Sequence, residues 1–342
     1  MVAKSRITED RLDALKLEAA RTGIVQHSGI VPTASPFPKQ PLANSYNENP
    51  VLKPPTWTWQ VPLYFFVGGV AGISVLIAVV AHVVNNTGLL RAGLWIGLAG
   101  ALLSPPLLIA DLGRPERFLN MLRVFKPRSA MSVGAWTLSA FSSAIGLAVI
   151  CHEFILAGHG TEFLVAIDWL AEISAAVTGL TLASYTSVLL GVTAIPVWSE
   201  NRKLVPVIFL TGALGSAAAI LELLGFRVPA TQFIGIVAST VEIVIALTIE
   251  RRNRHVDRPL REGAVGWLTR VGALLAGPVS LILRAFWSNN PEFRDAAAVC
   301  FIAGALIARY TWIAAGRVSS RDPQALFQIQ QAGGRVTQSA LS

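Results

Sequence analysis

Charge is scarce along this 342-residue chain. Asp, Glu, Lys and Arg make up 14% of it, against 53% hydrophobic residues and a mean hydropathy of +0.56. Soluble domains carry about 25% charged residues, so the deficit excludes the pair of water-soluble domains that the length would allow. Cysteine is nearly missing. Cys151 and Cys300 stand alone in different apolar stretches, which excludes a disulfide framework and a thiolate cluster. Of the five histidines, only His82 and His152 fall in apolar stretches. A bis-histidine haem between them is geometrically conceivable, but b-haem bundles use several histidines at haem-spanning separations. The plainer reading lets His82 reach the membrane interface and pairs His152 with a neighbour such as Glu153. Walker and Rossmann glycine fingerprints are also missing. No metal ligand set, haem or iron–sulfur cluster is expected in this chain.

What the chain has in quantity is apolar sequence. A helix needs about 20 apolar residues to cross a hydrocarbon core of roughly 30 Å. Eight such stretches can be read, at about 61–84, 91–110, 132–156, 169–194, 204–224, 231–249, 264–284 and 295–316. The expected fold is therefore all-α, a polytopic integral membrane protein with eight transmembrane helices in two four-helix bundles. Residues 1–55 read as a cytoplasmic, proline-rich arm, because VPTASPFPKQP and PVLKPP favour extended chain. No apolar h-region follows the first charges, so a cleavable signal peptide is not expected there. Residues 56–200 then form the first bundle and 201–316 the second, with a polar tail over 317–342. No internal repeat is visible, so the inverted-repeat design of many transporters gains no support.

The net charge of +8 and pI near 10.0 would suggest a nucleic-acid partner in a soluble protein. Eight spans divide the basic residues unevenly instead. Seven lie in the N-terminal arm, five after span two, two after span four, five after span six and three in the tail, which makes 22 on one face. The other face has Arg91, Arg227, Arg284 and Arg294, and Arg270 and Arg309 lie within spans. By the positive-inside rule both termini are expected in the cytoplasm, with the inner (cytoplasmic) membrane as the location. The partner that the charge calls for is a lipid bilayer, and no nucleic acid is needed.

Ionisable groups inside spans are functional candidates by default. Glu153, Glu172 and Glu222 fall within a turn or two of span ends, where interfacial water can serve them. Glu242 falls near the middle of span six and is a candidate for proton transfer, with a neutral structural acid as the alternative. In span four, Ser174, Thr178, Thr181 and Tyr185 follow helical spacing and share one face. The hydroxyls also read as packing elements, as do Gly68-x-x-x-Gly72 and Gly93-x-x-x-Gly97. A mid-membrane phenol, however, needs a partner for its hydroxyl. Span two ends in Ser104-Pro105-Pro106, where a kink is expected. It runs into Asp111-Leu-Gly113-Arg114-Pro115, whose acid and base can pair across one turn.

That loop, with its continuation Glu-Arg-Phe-Leu-Asn-Met-Leu-Arg-Val-Phe and then Pro127-Arg-Ser129-Ala-Met131-Ser-Val-Gly134-Ala-Trp136, resembles the signature of NrfD/PsrC-type membrane subunits. These are the integral-membrane partners of polysulfide, nitrite and related reductase complexes. Trp59-Gln60-Val-Pro-Leu-Tyr64 through Gly72 and Ser184-Tyr185-Thr-Ser-Val, with Trp198 beyond, agree in order and spacing. The resemblance covers about residues 55–200, and the second half only by hydropathy. It implies a haem-free site for quinone or quinol, of menaquinone or ubiquinone type, as part of an electron-transport chain. It also implies a ferredoxin-like iron–sulfur subunit and a catalytic reductase or dehydrogenase subunit as partners. Tyr185 carries over first as the quinone-binding phenol, although Ser187 stands where the family's Tyr-Thr-Gly element has glycine. Tyr64 and Gln60 follow as further quinone contacts and Asp111 as a proton-transfer group. Two rival readings stay open at this point: an ion- or proton-translocating, transporter-like subunit, and a membrane anchor without a quinone site.

Overall fold

The computed structural model describes residues 54–111, 118–252, 254–287 and 289–322, with Ala14, Leu17, Leu52 and Ala325. Residues 1–49 and 50–342 separate into two compact units, and the second carries the eight long helices. The arm expected over 1–55 and the tail expected over 317–342 fall largely outside the described residues, as do Gly113, Arg114 and Pro115.

Among the described residues eight helices are long and apolar enough to cross a membrane: α1 Gln60–Val83, α2 Thr87–Asp111, α3 Ala130–His159, α4 Glu162–Gly191, α5 Leu204–Leu223, α6 Pro229–Arg251, α7 Gly263–Phe286 and α8 Pro291–Ser319. No strand occurs among the described residues. The protein is a multi-pass, all-α membrane protein. Its exterior confirms the class, because Leu102, Leu170 and Phe233 are each about two-thirds exposed on their helices, where lipid rather than water would cover them.

Local chemistry sets where the helices begin. Ser129 and Thr161 cap α3 and α4, their side-chain oxygens accepting from the backbone N–H of Ser132 and Leu164. Asn290 caps α8 ahead of Pro291. These caps lengthen helices beyond their apolar cores, and α4 starts seven residues earlier than hydropathy alone indicates. α2 runs through Pro105-Pro106 and continues as helix to Asp111. Among the described residues two π-turns occur, Ile155–His159 at the end of α3 and Leu275–Val279 around Pro278 in α7. The wider turn at the second suits a proline that lacks its N–H.

Successive helices are neighbours, and α1 also packs on α4, α5 and α8, while α5 packs on α4 and α8. The apolar core does not stop between the halves: Phe65, Phe141, Trp198, Phe209 and Trp312 belong to one contiguous cluster. Trp198, on the short helix Pro196–Glu200, stacks on Trp57 at 5.5 Å and donates its indole N–H to Trp312 O at 2.8 Å.

Glycine spacing lets the first helices approach closely. A Cβ on Gly72 would lie 2.1 Å from Gly179 O, and one on Gly93 would lie 2.7 Å from Ser74 O. Both obstacles are backbone, which cannot rotate away. Gly72→Ala should therefore force α1 from α4 and lower stability by about 1–3 kcal/mol. Thermal unfolding in detergent checks this, and an unchanged midpoint would show that the two helices can part without cost.

Candidate functional site

The antiparallel course of α1 to α4 brings four distant segments to one end of the molecule: the start of α1, the end of α2, the start of α3 and the end of α4. A small cavity of about 70 Å³ lies there. Tyr64 of α1 and Tyr185 of α4 line it, with Asp111 of α2 and Met131 and Gly134 of α3. Tyr64 is buried and Tyr185 half-buried. Among the described residues neither phenol oxygen meets a hydrogen-bond partner, whereas buried phenols generally find one. The remaining wall is mostly apolar, including Val61, Phe65 and Leu189.

Gly134 sets the position of Tyr185. A Cβ there would lie 2.1 Å from Tyr185 Cζ and 2.3 Å from its hydroxyl oxygen, so the phenol rests directly on the α3 backbone. Asp111 closes the α2 end, with its Oδ1 accepting from Thr58 N at 2.8 Å and from Thr58 Oγ1 at 2.6 Å. It thereby ties the segment entering α1 to the end of α2. Gln60 does not line the cavity; its amide meets the Thr58 hydroxyl instead.

Three further groups of buried polar residues lie elsewhere. At the opposite end of α1, α3 and α4, His82, His152, Asp168 and Glu172 come together. His82 Nδ1 lies 2.6 Å from Glu172 Oε2 and His152 Nδ1 lies 3.4 Å from Asp168 Oδ2. His152 does not follow the plainer expectation of a Glu153 partner. His82 stacks on Trp169 at 4.1 Å, and Glu153, the expected partner of His152, binds Arg91 and Trp95. The rings of His82 and His152 lie 6.4 Å apart, edge to face.

In the second half, Glu222 faces both Arg284 and Arg294 at 2.7 Å. Arg284 and Glu222 are fully buried, so Arg284 belongs to the interior and not to a loop. Gly235 makes room for it, since a Cβ there would lie 2.3 Å from Arg284 Cζ. Glu242 lines a separate cavity with Glu250, Arg270 and Thr311 and does not reach the tyrosines. Nearby, the Arg309 guanidinium sits 3.9 Å over the Phe209 ring and donates to Phe209 O.

Within the polar stripe of α4 the two threonines are satisfied by the helix itself. Thr178 and Thr181 donate to the carbonyls of Ser174 and Val177, one turn back, and Ser187 donates to Ser184 O at 2.5 Å. These hydroxyls act as packing elements, and the fully buried Ser187 fits where glycine is usual.

Comparison with known proteins adds one decisive observation. The family model NrfD_2, described as polysulfide reductase, matches residues 51–321. The chain belongs to this family. No curated protein matches it. The match takes in the second half, which the quoted motifs did not reach, so α5–α8 are as much part of the NrfD unit as α1–α4. Membership makes the chain a membrane subunit of quinone-linked oxidoreductase complexes. Within the NrfD signature, Met131 and Gly134 face the cavity and Ser129 caps the helix that carries them. Trp136 is partly exposed and meets Phe125 edge-on at 6.1 Å.

Sequence reasoning misses Asp168 and counts Arg284 among the charges outside the spans. Asp168-x-x-x-Glu172 was the available signal, because i,i+4 acids share one helix face. Arg284 carried the weaker signal of a charge at the edge of a hydropathy window.

Proposed function

We propose that this NrfD-family chain is the quinone-reactive membrane subunit of an oxidoreductase complex. It would exchange electrons with a ferredoxin-like iron–sulfur subunit that serves a catalytic reductase or dehydrogenase subunit. The observation that carries this reading is the convergence of two phenols without protein partners, Tyr64 and Tyr185, on one apolar-walled cavity.

The cavity residues fit a quinone head. Such a ligand offers two carbonyl acceptors on an otherwise apolar ring, and the walls offer two O–H donors among apolar side chains. Tyr185 would hold one quinone oxygen, its ring fixed by Gly134, and Tyr64 would present a second donor from α1. A quinol supplies two electrons and two protons when it is oxidised. Asp111, at the α2 end of the same cavity, is the ionisable group placed to accept or return a proton at its carboxylate. Phe65, Val61 and Leu189 exclude water from the ring. Gln60 supports the site through Thr58 and Asp111. Glu242 would act, if protons move through the second half, from its own cavity.

Tyr185→Phe removes the hydroxyl and keeps the ring. Quinol-linked turnover of the assembled complex should fall about tenfold or more, on the scale of one lost hydrogen bond to a reacting ligand. Folded protein recovered from membranes should be unchanged. Normal turnover in the variant would remove Tyr185 from the site. Loss of a bound quinone analogue in the same variant separates this reading from a plain membrane anchor. Proton uptake by vesicles without a redox partner would favour a transporter.

A further inference from the structure

We propose that His152, Asp168 and Glu172 form a binding site for one divalent transition-metal cation of the zinc type. The site lies at the end of α1, α3 and α4 opposite the tyrosine cavity. It goes beyond the quinone reading, and either can fail without the other.

Burial is the first reason. His152 is 6% exposed, Asp168 2% and Glu172 0%. Two carboxylates held this deep need compensating positive charge, because an uncompensated buried charge costs several kcal/mol. Arg91 does not supply it, since it is bound by Glu153 at 2.7 Å. His82 supplies one contact to Glu172.

Unused ligand atoms are the second reason. His152 Nε2, Asp168 Oδ1 and Glu172 Oε1 are buried and have no hydrogen-bond partner among the described residues. Three potential ligand atoms, one per residue, lie within 4.8 Å of one another. Buried polar atoms without partners are uncommon and ask for a ligand.

Spacing is the third. Tetrahedral zinc with bonds of 2.0–2.2 Å holds its ligand atoms about 3.3–3.6 Å apart. On the other ring nitrogen, His152 Nδ1 stands 3.4 Å from Asp168 Oδ2, which it meets as a hydrogen-bond partner, and 4.0 Å from Glu172 Oε1, so the trio at this spacing is Nδ1, Oδ2 and Oε1. Both separations exceed a strong charge-assisted hydrogen bond of about 2.8 Å and lie close to the edge of a coordination tetrahedron. Small side-chain movements would complete it.

The surroundings resemble the support that metal ligands require. His82 Nδ1 meets Glu172 Oε2 at 2.6 Å, leaving Oε1 for the metal, and Trp169 fixes the His82 ring from one face. Asp168 and Glu172 come from one face of α4 and His152 from α3, so a bound ion would clamp the two helices. One imidazole and two carboxylates suit zinc, cobalt or manganese. Calcium, which takes 6–8 oxygen ligands, would be under-coordinated. Water would fill the fourth position.

The full-length chain, purified in detergent and stripped with a chelator, should take up about one equivalent of Zn²⁺ or Co²⁺ by elemental analysis. Bound Co²⁺ should show the visible absorption of a four-coordinate site. His152→Ala and Asp168→Asn should lose this uptake, and His82→Gln should weaken it about 10–100-fold. Glu153→Gln, one residue away but bound to Arg91, should keep it. Absence of stoichiometric uptake by the unaltered chain overturns the proposal whether or not the variants fold. So does equal uptake by a folded His152→Ala chain.

Discussion

Gly134→Ala is expected to reduce quinol-linked turnover by about a hundredfold, the scale on which a displacement of about 1 Å at a reacting centre acts. The added methyl would stand 2.1 Å from Tyr185 Cζ and 2.3 Å from Tyr185 Cε1, so the ring must leave its place. Gly146 lies three turns further along α3, with nothing within 4 Å of its would-be Cβ. Gly146→Ala should leave turnover intact and thereby control for helix propensity. The mechanism makes a second demand. In a Tyr185→Ala background the clash is gone, and Gly134→Ala should then add little further loss, because the two sites share one contact. Equal effects of Gly134→Ala with and without the tyrosine ring would show that glycine is needed for something other than seating the phenol.

Arg284→Met should destabilise the folded chain by about 3–5 kcal/mol, the usual consequence of breaking a buried ion pair from one side. Glu222 would keep Arg294 at 2.7 Å but lose its fully buried partner. The thermal midpoint in detergent measures the loss. Combining Glu222→Gln with Arg284→Met removes the fully buried pair but leaves Arg294 facing a neutral amide, so it should recover part of the loss. A double variant as unstable as the single one would argue that Arg284 matters through its packing against Gly235.

The eight helices were legible because length and hydropathy decide what can cross a bilayer. Their ends were less legible, for a local reason with a large effect. Hydropathy starts span four near 169, whereas the Thr161 cap starts α4 at Glu162. The seven residues between include Asp168, which therefore read as loop, and the cluster with His152 and Glu172 could not be seen. Arg284 was misplaced for a related reason, since an apolar window cannot tell a charge that leaves the membrane from one buried against Glu222. The tyrosine cavity was partly legible. The motifs named Tyr64, Tyr185, Asp111, Met131 and Gly134, and the antiparallel helices bring all five together. The motifs could not exclude Gln60 from the lining or show that Glu242 lies in another cavity.

The buried charges of the second half bear on how the chain enters its membrane. Each of its four long helices carries one: Glu222 on α5, Glu242 on α6, Arg284 on α7 and Arg309 on α8. A charge of this kind disfavours release of an isolated helix into lipid by about 2.5–3.5 kcal/mol for Arg at the centre. The acids precede the bases in order of synthesis, and Glu222 waits for α7 and α8 before Arg284 and Arg294 reach it. These four segments should thus be held together by the insertion machinery and released as a set, so that a chain stalled after α6 is a substrate for membrane quality control.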